Sequence, residues 1–467
     1  MEASPPLPEM SSEKLAPDFA LFRRSLEEGH PGLYRYATRP AFDELLGKVQ
    51  AQIKQPMTAL SFFRALAPVV AAIRCGHTGI QPPLDIVHQA DESLFPFQVR
   101  VIGQSVYIFR DFTTDGDNLA GAEIRRVNGV PIIKILTTML AATPGDCFSV
   151  TTRPYRVGHD GGFESMLWPL LDIRSPFEVT YRDPVTSEEK AIHARGLPRK
   201  EIQKLQRSRY GAAPSPMKAA DLRFLDEGKI AVVKIHGFGG MVAFRSLRKF
   251  IDQAFQEIHD QNSKALIIDV RDNDGGAHDL AEQVFSYLAD KPFLYYRDLV
   301  LNALTFSFLP YAKPSTPIPA DAVAKWPDGK FHHVTQANWG MQQPRQPHFG
   351  GKIYVLMNGG SFSSTCEFLS ATRSHTKAIF IGEESGGSYS GNTSGMKYDI
   401  TLPNSKLILR VPTVGYYMAV KEHLDLDRGI LPDYPIQQSI EDLLGSEDRE
   451  MQKALDLARK DNSESSR

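Results

Sequence analysis

The feature that most constrains this chain is a set of short, almost wholly apolar runs separated by segments of helical periodicity. Ala265-Leu266-Ile267-Ile268 has no polar position until Asp269 closes it, and Ile353-Tyr354-Val355-Leu356-Met357 and Ala378-Ile379-Phe380-Ile381 read the same way. Ile230-Ala231-Val232-Val233-Lys234-Ile235 adds a fourth such run. A strand that is apolar at every position has to be covered on both faces, as in the parallel sheet of an α/β layer. Between two of these runs, 241–260 places Phe244, Leu247, Phe250, Ile251, Phe255 and Ile258 at helical spacing, which supplies one cover.

Upstream the pattern differs. Residues 1–17 read as a disordered arm, and 18–90 as a helical domain. Its helices are one capped by Asp18, one from about Pro40 and one from about Thr58 that runs into Cys75-Gly76-His77-Thr78-Gly79. From 91 to 218 strand signals dominate: Phe97–Val101, Val106–Phe109, Glu123–Val127 closed by Asn128-Gly129, and Phe177–Tyr181. The basic stretch 196–218 reads as a linker. The α/β layer fills 219–440, with a Pro-rich insertion at 310–349 holding Trp326 and Trp339, read as either a substrate lid or a packed surface element. Residues 441–467 read as a helix and tail.

Composition excludes several functions. With 467 residues, 42% of them hydrophobic and 23% charged, the chain has material for about three domains. The net charge of -2 leaves no electrostatic footprint for nucleic acid. Cys75, Cys147 and Cys366 are too dispersed for a disulfide framework or a CxxC zinc site. No apolar stretch reaches the roughly 18 residues of a membrane span. Met1–Met10 lacks the basic and apolar regions of a signal peptide. The expected compartment is cytoplasmic, or periplasmic or extracellular if a signal was removed.

Three segments are placed to carry chemistry. In Asn358-Gly359-Gly360-Ser361-Phe362-Ser363-Ser364-Thr365-Cys366-Glu367 a buried strand enters a Gly/Ser turn and a helix begins. A serine there is either an exposed nucleophile at a helix N-terminus or a plain N-cap. In Asp269-Val270-Arg271-Asp272-Asn273-Asp274-Gly275-Gly276 a second strand ends in glycines whose N–H groups suit an oxyanion or simply a tight turn. An acidic metal site of Asp269, Asp272 and Asp274 is a weaker reading. His77, flanked by glycines, is the third. Cys366, inside the helix start, reads as a packed thiol rather than a nucleophile.

In this order, with Ile381-Gly382-Glu383-Glu384-Ser385-Gly386-Gly387 and Gly429-Ile430-Leu431-Pro432-Asp433 downstream, the segments resemble the tail-specific (C-terminal processing) serine peptidases, family S41, in the style of bacterial members. The resemblance is strongest over 228–436. It implies a crotonase-like (ClpP/crotonase) α/β core, joined to the helical region and a small, degenerate PDZ-like β-rich domain. It implies a serine-type endopeptidase acting on peptides or unfolded proteins, with no metal or organic cofactor and with oligomerisation left open. The family places its nucleophile three residues before the motif glutamate, Glu367, which gives Ser364, with Ser363 and Ser361 as fallbacks. It assigns the oxyanion N–H groups to Thr365 and to Gly275 or Gly276. The lysine of the Ser/Lys branch aligns with Ser388, so the resemblance is to the Ser/His branch that includes the tricorn core protease, with His77 as general base. The orienting acid of that branch points to Glu422, 58 residues after Ser364, with Asp425 and Asp427 as competitors. A non-catalytic ligand- or peptide-binding protein on the same fold is the alternative, and an acyl-CoA enzyme a third class.

Overall fold

The run Ala265–Asp269 lies inside a six-stranded sheet, between Ile230–Ile235 and Lys352–Met357, both parallel to it. Ile379–Gly382 and Tyr434–Pro435 extend the sheet in parallel beyond Lys352–Met357, and Ala220–Leu225 closes the other edge antiparallel. This is a computed structural model, and it describes residues 7–114, 118–159, 161–211, 219–239, 241–313, 319–336, 338–421, 427–445 and 447–464. The apolar runs are explained by two covers. Ala231, Val233, Leu266, Ile268 and Val355 point into a core with the helices Met241–Asp260, His278–Ser286 and Ser364–His375. Their neighbours Ile230, Val232, Ala265, Ile267, Tyr354 and Leu356 face Met451, Ala454 and Ala458 of the helix Arg449–Glu464. Each Val, Leu or Ile side chain withdrawn from water contributes about 1.5–3 kcal/mol, which is why these strands are apolar at nearly every position.

A seven-stranded sheet stands beside this layer, built around the long pair Gly391–Thr401 and Ile408–Met418. The 310–349 insertion belongs to it: Ala312–Lys313, Val323–Lys325 and Phe331–His333 are strands of this sheet, and Trp326 stacks on His332 at 3.8 Å. Among the described residues no part of the insertion lines the cavity beside His77, so it is a packed element there rather than a lid. The short strand Gly79–Gln81 pairs with Ile408–Met418. That pairing pins the segment following His77 to the second sheet.

The helical region and the β-rich region share one core, so the boundary expected near residue 90 does not separate two hydrophobic units. The β-rich part is an antiparallel sheet of Phe97–Ile102, Ser105–Asp111, Glu123–Val127, Phe177–Arg182 and Glu189–Ala194. Two expectations are corrected here. The first helix runs Ser12–Gly29, with Pro17 inside it, so the arm is shorter than expected and Asp18 is no cap. Asp18 is instead fully buried and accepts the Asn404 and Ser405 N–H groups at 3.0 and 2.6 Å. Within the expected linker, Arg199–Tyr210 is a helix without a buried residue, closed by Gly211 at φ +81°.

Candidate active site

The two glycine turns follow neighbouring parallel strands, Ala265–Asp269 and Lys352–Met357, so both lie at the carboxyl edge of the sheet. That edge is where open α/β sheets place their ligands. The turns are knitted together. Asn358 Nδ2 donates to Asp272 Oδ1 at 2.9 Å, the Asp272 N–H to Asn358 Oδ1 at 3.0 Å, and the Phe362 N–H to the Asn273 carbonyl at 3.0 Å. Asn273 is fully buried and anchors three elements: its Nδ2 donates to the Ile235 carbonyl, and its Oδ1 accepts from the Gly275 N–H and the Thr365 hydroxyl.

Ser363, not Ser364, meets the histidine. Ser363 Oγ lies 3.0 Å from His77 Nε2. Ser363 sits on the elbow between turn and helix at φ +56°, ψ -129°, a region that non-glycine residues rarely occupy. The strain turns its side chain out of the helix and into the cleft. Ser364 is the first helical residue. It is fully buried, and its hydroxyl has no hydrogen-bond partner among the described residues. Ser361 is also fully buried and is used by the turn: its hydroxyl donates to the Val270 carbonyl at 2.7 Å. The spacing to Glu367 is therefore four residues, one helical turn, rather than three.

The N–H groups left open beside Ser363 also differ from those expected. The Thr365 N–H is taken by the Phe362 carbonyl at 3.1 Å and the Gly275 N–H by Asn273 Oδ1 at 3.0 Å, so neither serves as expected. The N–H groups of Ser364 and Gly276 are left unused by hydrogen bonds among the described residues. Gly275, at φ +101°, lets the two turns close: a Cβ there would stand 2.7 Å from Ser363 Cβ and 3.0 Å from the Ser364 nitrogen.

His77 is buried against Phe362, with ring centroids 4.7 Å apart. Burial first, then the cations Lys397 and Arg156, hold its pKa well below the ordinary histidine value. The ring is therefore neutral at pH 7, and with its proton on Nδ1 the Nε2 lone pair accepts the Ser363 hydroxyl. His77 Nδ1 is buried with no partner among the described residues. Of the expected acids, Glu422 and Asp425 lie outside the described residues, as does the side chain of Phe244. The carbonyl of Asp427 accepts the Phe148 N–H at 2.9 Å, and its carboxylate makes no hydrogen bond to Nδ1.

The acidic trio does not converge on a metal. Asp269 is held by Arg271 and Lys234, and Asp272 by Tyr155 and Asn358. Cys366 is packed: its thiol donates to the Ser361 carbonyl at 2.9 Å, and burial raises its pKa. Glu367 points away from the cleft, into a hydrogen-bonded cluster with His278, Tyr296 and Asn392 at 2.8, 2.6 and 2.8 Å.

Beside Ser363 and His77 opens a cavity of about 680 Å³. Its lining includes Tyr155, Asp274, Lys397 and an unusual share of bare backbone at Gly237, Gly239, Gly275, Gly276, Gly359 and Gly360. Comparison with known proteins bears on the fold and on the segment that carries both turns. Residues 229–436 match the model of peptidase family S41. That segment is a peptidase family S41 domain. Mature CPAF has the same fold, with 14% identity, 93% of this chain and 94% of that chain covered, and a TM-score of 0.58. Mature CPAF complexed with lactacystin gives 13% identity, 96% and 97% coverage and 0.59. A comparison with curated protein sequences gives no match. The family match makes this S41 chain a serine-type peptidase and leaves the non-catalytic alternative without support. Its peptidase segment holds both turns but not His77, which comes from the helical region upstream.

The structure brings His77 and the two turns together as expected, but sets Ser363 rather than Ser364 against the histidine. No local pattern marks the elbow at Ser363, because both serines are compatible with a helix start. For this S41 domain, Gly275→Ala is expected to lower kcat/KM by about 10²–10³-fold, since the new Cβ displaces the Ser364 N–H and the seat of Ser363. Steady-state hydrolysis on a variant whose melting shows it to be folded checks this.

Proposed function

We propose that this S41 peptidase is an endopeptidase that cuts extended peptide through Ser363 and His77. The reading rests on one observation, the 3.0 Å contact between Ser363 Oγ and His77 Nε2 at the mouth of the cavity. Ser363 Oγ attacks the scissile carbonyl carbon as its proton passes to Nε2. The carbonyl oxygen, now negative, is met by the N–H groups of Ser364 and Gly276, the first of them at the positive end of the helix Ser364–His375. His77 returns the proton to the leaving amine, and an ester to Ser363 remains. Water then attacks that ester, His77 takes its proton, and the acid product leaves with Ser363 restored.

The glycine lining supports a peptide or an unfolded segment as substrate. Side chains are missing along the cavity where a substrate backbone has to approach the protein backbone closely. A folded domain would have no such access to a cleft whose serine is only part-exposed.

The test is labelling with a fluorophosphonate, followed by mapping of the modified peptide, together with hydrolysis of a reduced, carboxymethylated protein. Modification at Ser363 and fragments from the unfolded substrate are the expected results. Modification at Ser364 or Ser361 moves the nucleophile. Folded protein that neither labels nor cleaves defeats the reading.

A further inference from the structure

We propose that Asp146 is the carboxylate that positions His77, the third member of the catalytic group; this rests on the Ser363/His77 reading. Asp146 lies in the connection between the helices Ile132–Ala142 and Thr152–Gly158, outside the segment matched by the family model. It is 3% exposed. Its Oδ1 accepts the N–H of Gly76, the residue before His77, at 2.5 Å. Its Oδ2 is buried with no partner among the described residues, and so is Nδ1 of His77. A ring nitrogen of His77, a carboxylate oxygen of Asp146 and the Cys75 sulfur lie within 4.8 Å of one another.

These facts form one argument. Nε2 is engaged by Ser363, so Nδ1 is the nitrogen free to face the carboxylate. A buried acceptor and a buried donor, each unsatisfied and on side chains whose polar atoms come within 4.8 Å, can supply the two halves of one hydrogen bond. Closing it asks only for a small turn of ring or carboxylate, and catalytic hydrogen bonds are commonly loose until substrate binds. Cys75 does not compete, because its thiol already donates to the Thr393 carbonyl at 3.3 Å. Arg156 braces the pair: its Nη1 donates to the carbonyls of Gly76 and Pro144, both at 3.0 Å, tying the histidine segment to the Asp146 connection. Once joined, Oδ2 keeps the proton on Nδ1 and the lone pair on Nε2, and it stabilises the imidazolium that forms as Ser363 attacks.

The charges facing the pair set its pH behaviour. Lys397, Arg156, His278 and His30 face His77, and Arg156 and Arg35 face Asp146. Burial raises the Asp146 carboxyl to about 6, with the Gly76 N–H and Arg156 pulling it back. Asp146 is a negative charge close to His77 that favours imidazolium, and Asp274, which lines the same cavity, is unchanged in the variant. Replacing it by asparagine therefore lowers the His77 pKa further and moves the acid limb of the activity profile to lower pH.

The experiment compares full-length wild type, Asp146→Asn and Glu422→Gln in steady-state hydrolysis of an unfolded protein across pH. Fluorophosphonate labelling rates and melting are followed alongside. Asp146→Asn is expected to lower kcat by about 10²–10⁴-fold with KM within about threefold. Labelling of Ser363 slows in parallel, and the acid limb of the residual activity moves down. Retention of kcat within threefold overturns the assignment, as does a loss that tracks melting with the pH profile unmoved. Loss in Glu422→Gln with an active Asp146→Asn hands the role to Glu422. A proton spectrum of ¹⁵N-histidine-labelled protein needs no turnover. A far-downfield Nδ1–H of His77, present in wild type and absent in Asp146→Asn, supports the pair even if hydrolysis fails, and its absence from wild type refutes it.

Discussion

Ser363→Ala is expected to lower kcat on an unfolded substrate by about 10⁶-fold, whereas Ser364→Ala leaves it within a few-fold of wild type. The first substitution removes the atom that reaches both His77 Nε2 and the cavity. KM should hardly change, because the cavity lining and the two free N–H groups stay in place. The second removes a buried hydroxyl that has no partner among the described residues. The Ser364 backbone N–H is retained, so the anion site survives. Deleting an unsatisfied buried hydroxyl is neutral or slightly stabilising, and melting of Ser364→Ala should be unchanged or a little higher. Matched kinetics on the two variants decide the register of the site: an inactive Ser364→Ala beside an active Ser363→Ala would reverse it.

The second large effect is on stability. Arg271, 8% exposed, closes the strand Ala265–Asp269 and grips the start of the helix Arg449–Glu464. Its guanidinium is bidentate to Asp269 at 3.0 and 2.8 Å and to Asp448 at 2.7 Å for both bonds, and it also contacts Glu450. Asp448 in turn caps the helix by accepting the Met451 N–H at 3.0 Å. Arg271→Ala removes the guanidinium from two buried carboxylates, leaving Asp269 with Lys234 and Glu450 with Gln438, and should cost about 3–5 kcal/mol. The loss depends on pH with a definite sign. Burial already raises Glu450 to about 7 against Arg271 pulling it down, and removing Arg271 raises it further. A carboxyl whose folded pKa lies above its unfolded one favours folding when protonated and loses that advantage as pH rises through the window between the two values. The deficit in Arg271→Ala should therefore be larger at pH 8 than at pH 5.5, as read from urea midpoints. A deficit under 1 kcal/mol at both would mean that the cluster contributes little.

What could be read from the sequence follows from how local each signal is. The parallel strands were legible because burial on both faces leaves no polar position in Ala265–Ile268 or Ile353–Met357. His77 was legible because a histidine between glycines at the end of an apolar helix has few structural uses. Ser363 lost to Ser364 because the elbow is a backbone event, a single positive φ, and the adjacent serines are chemically identical. Arg199–Tyr210 looked like a linker because it buries nothing, so no apolar stripe betrays it. Asp18 looked like a cap because its real partners, Asn404 and Ser405, are distant in sequence. Asp146 carried no signal at all: one aspartate in a loop acquires meaning only when folding sets it against Gly76.

The distance along the chain between His77 and Ser363 also governs when the enzyme becomes dangerous. On the proposed assignment, a chain made from its N-terminus acquires its base 286 residues before its nucleophile. At about 5–20 residues per second that interval is roughly 15–60 s, during which the emerging polypeptide cannot cut itself or its neighbours. Even then the serine is idle until the second sheet closes, because Gly79–Gln81 needs the late strand Ile408–Met418 to dock the histidine segment. Cutting power arrives with the last third of the molecule.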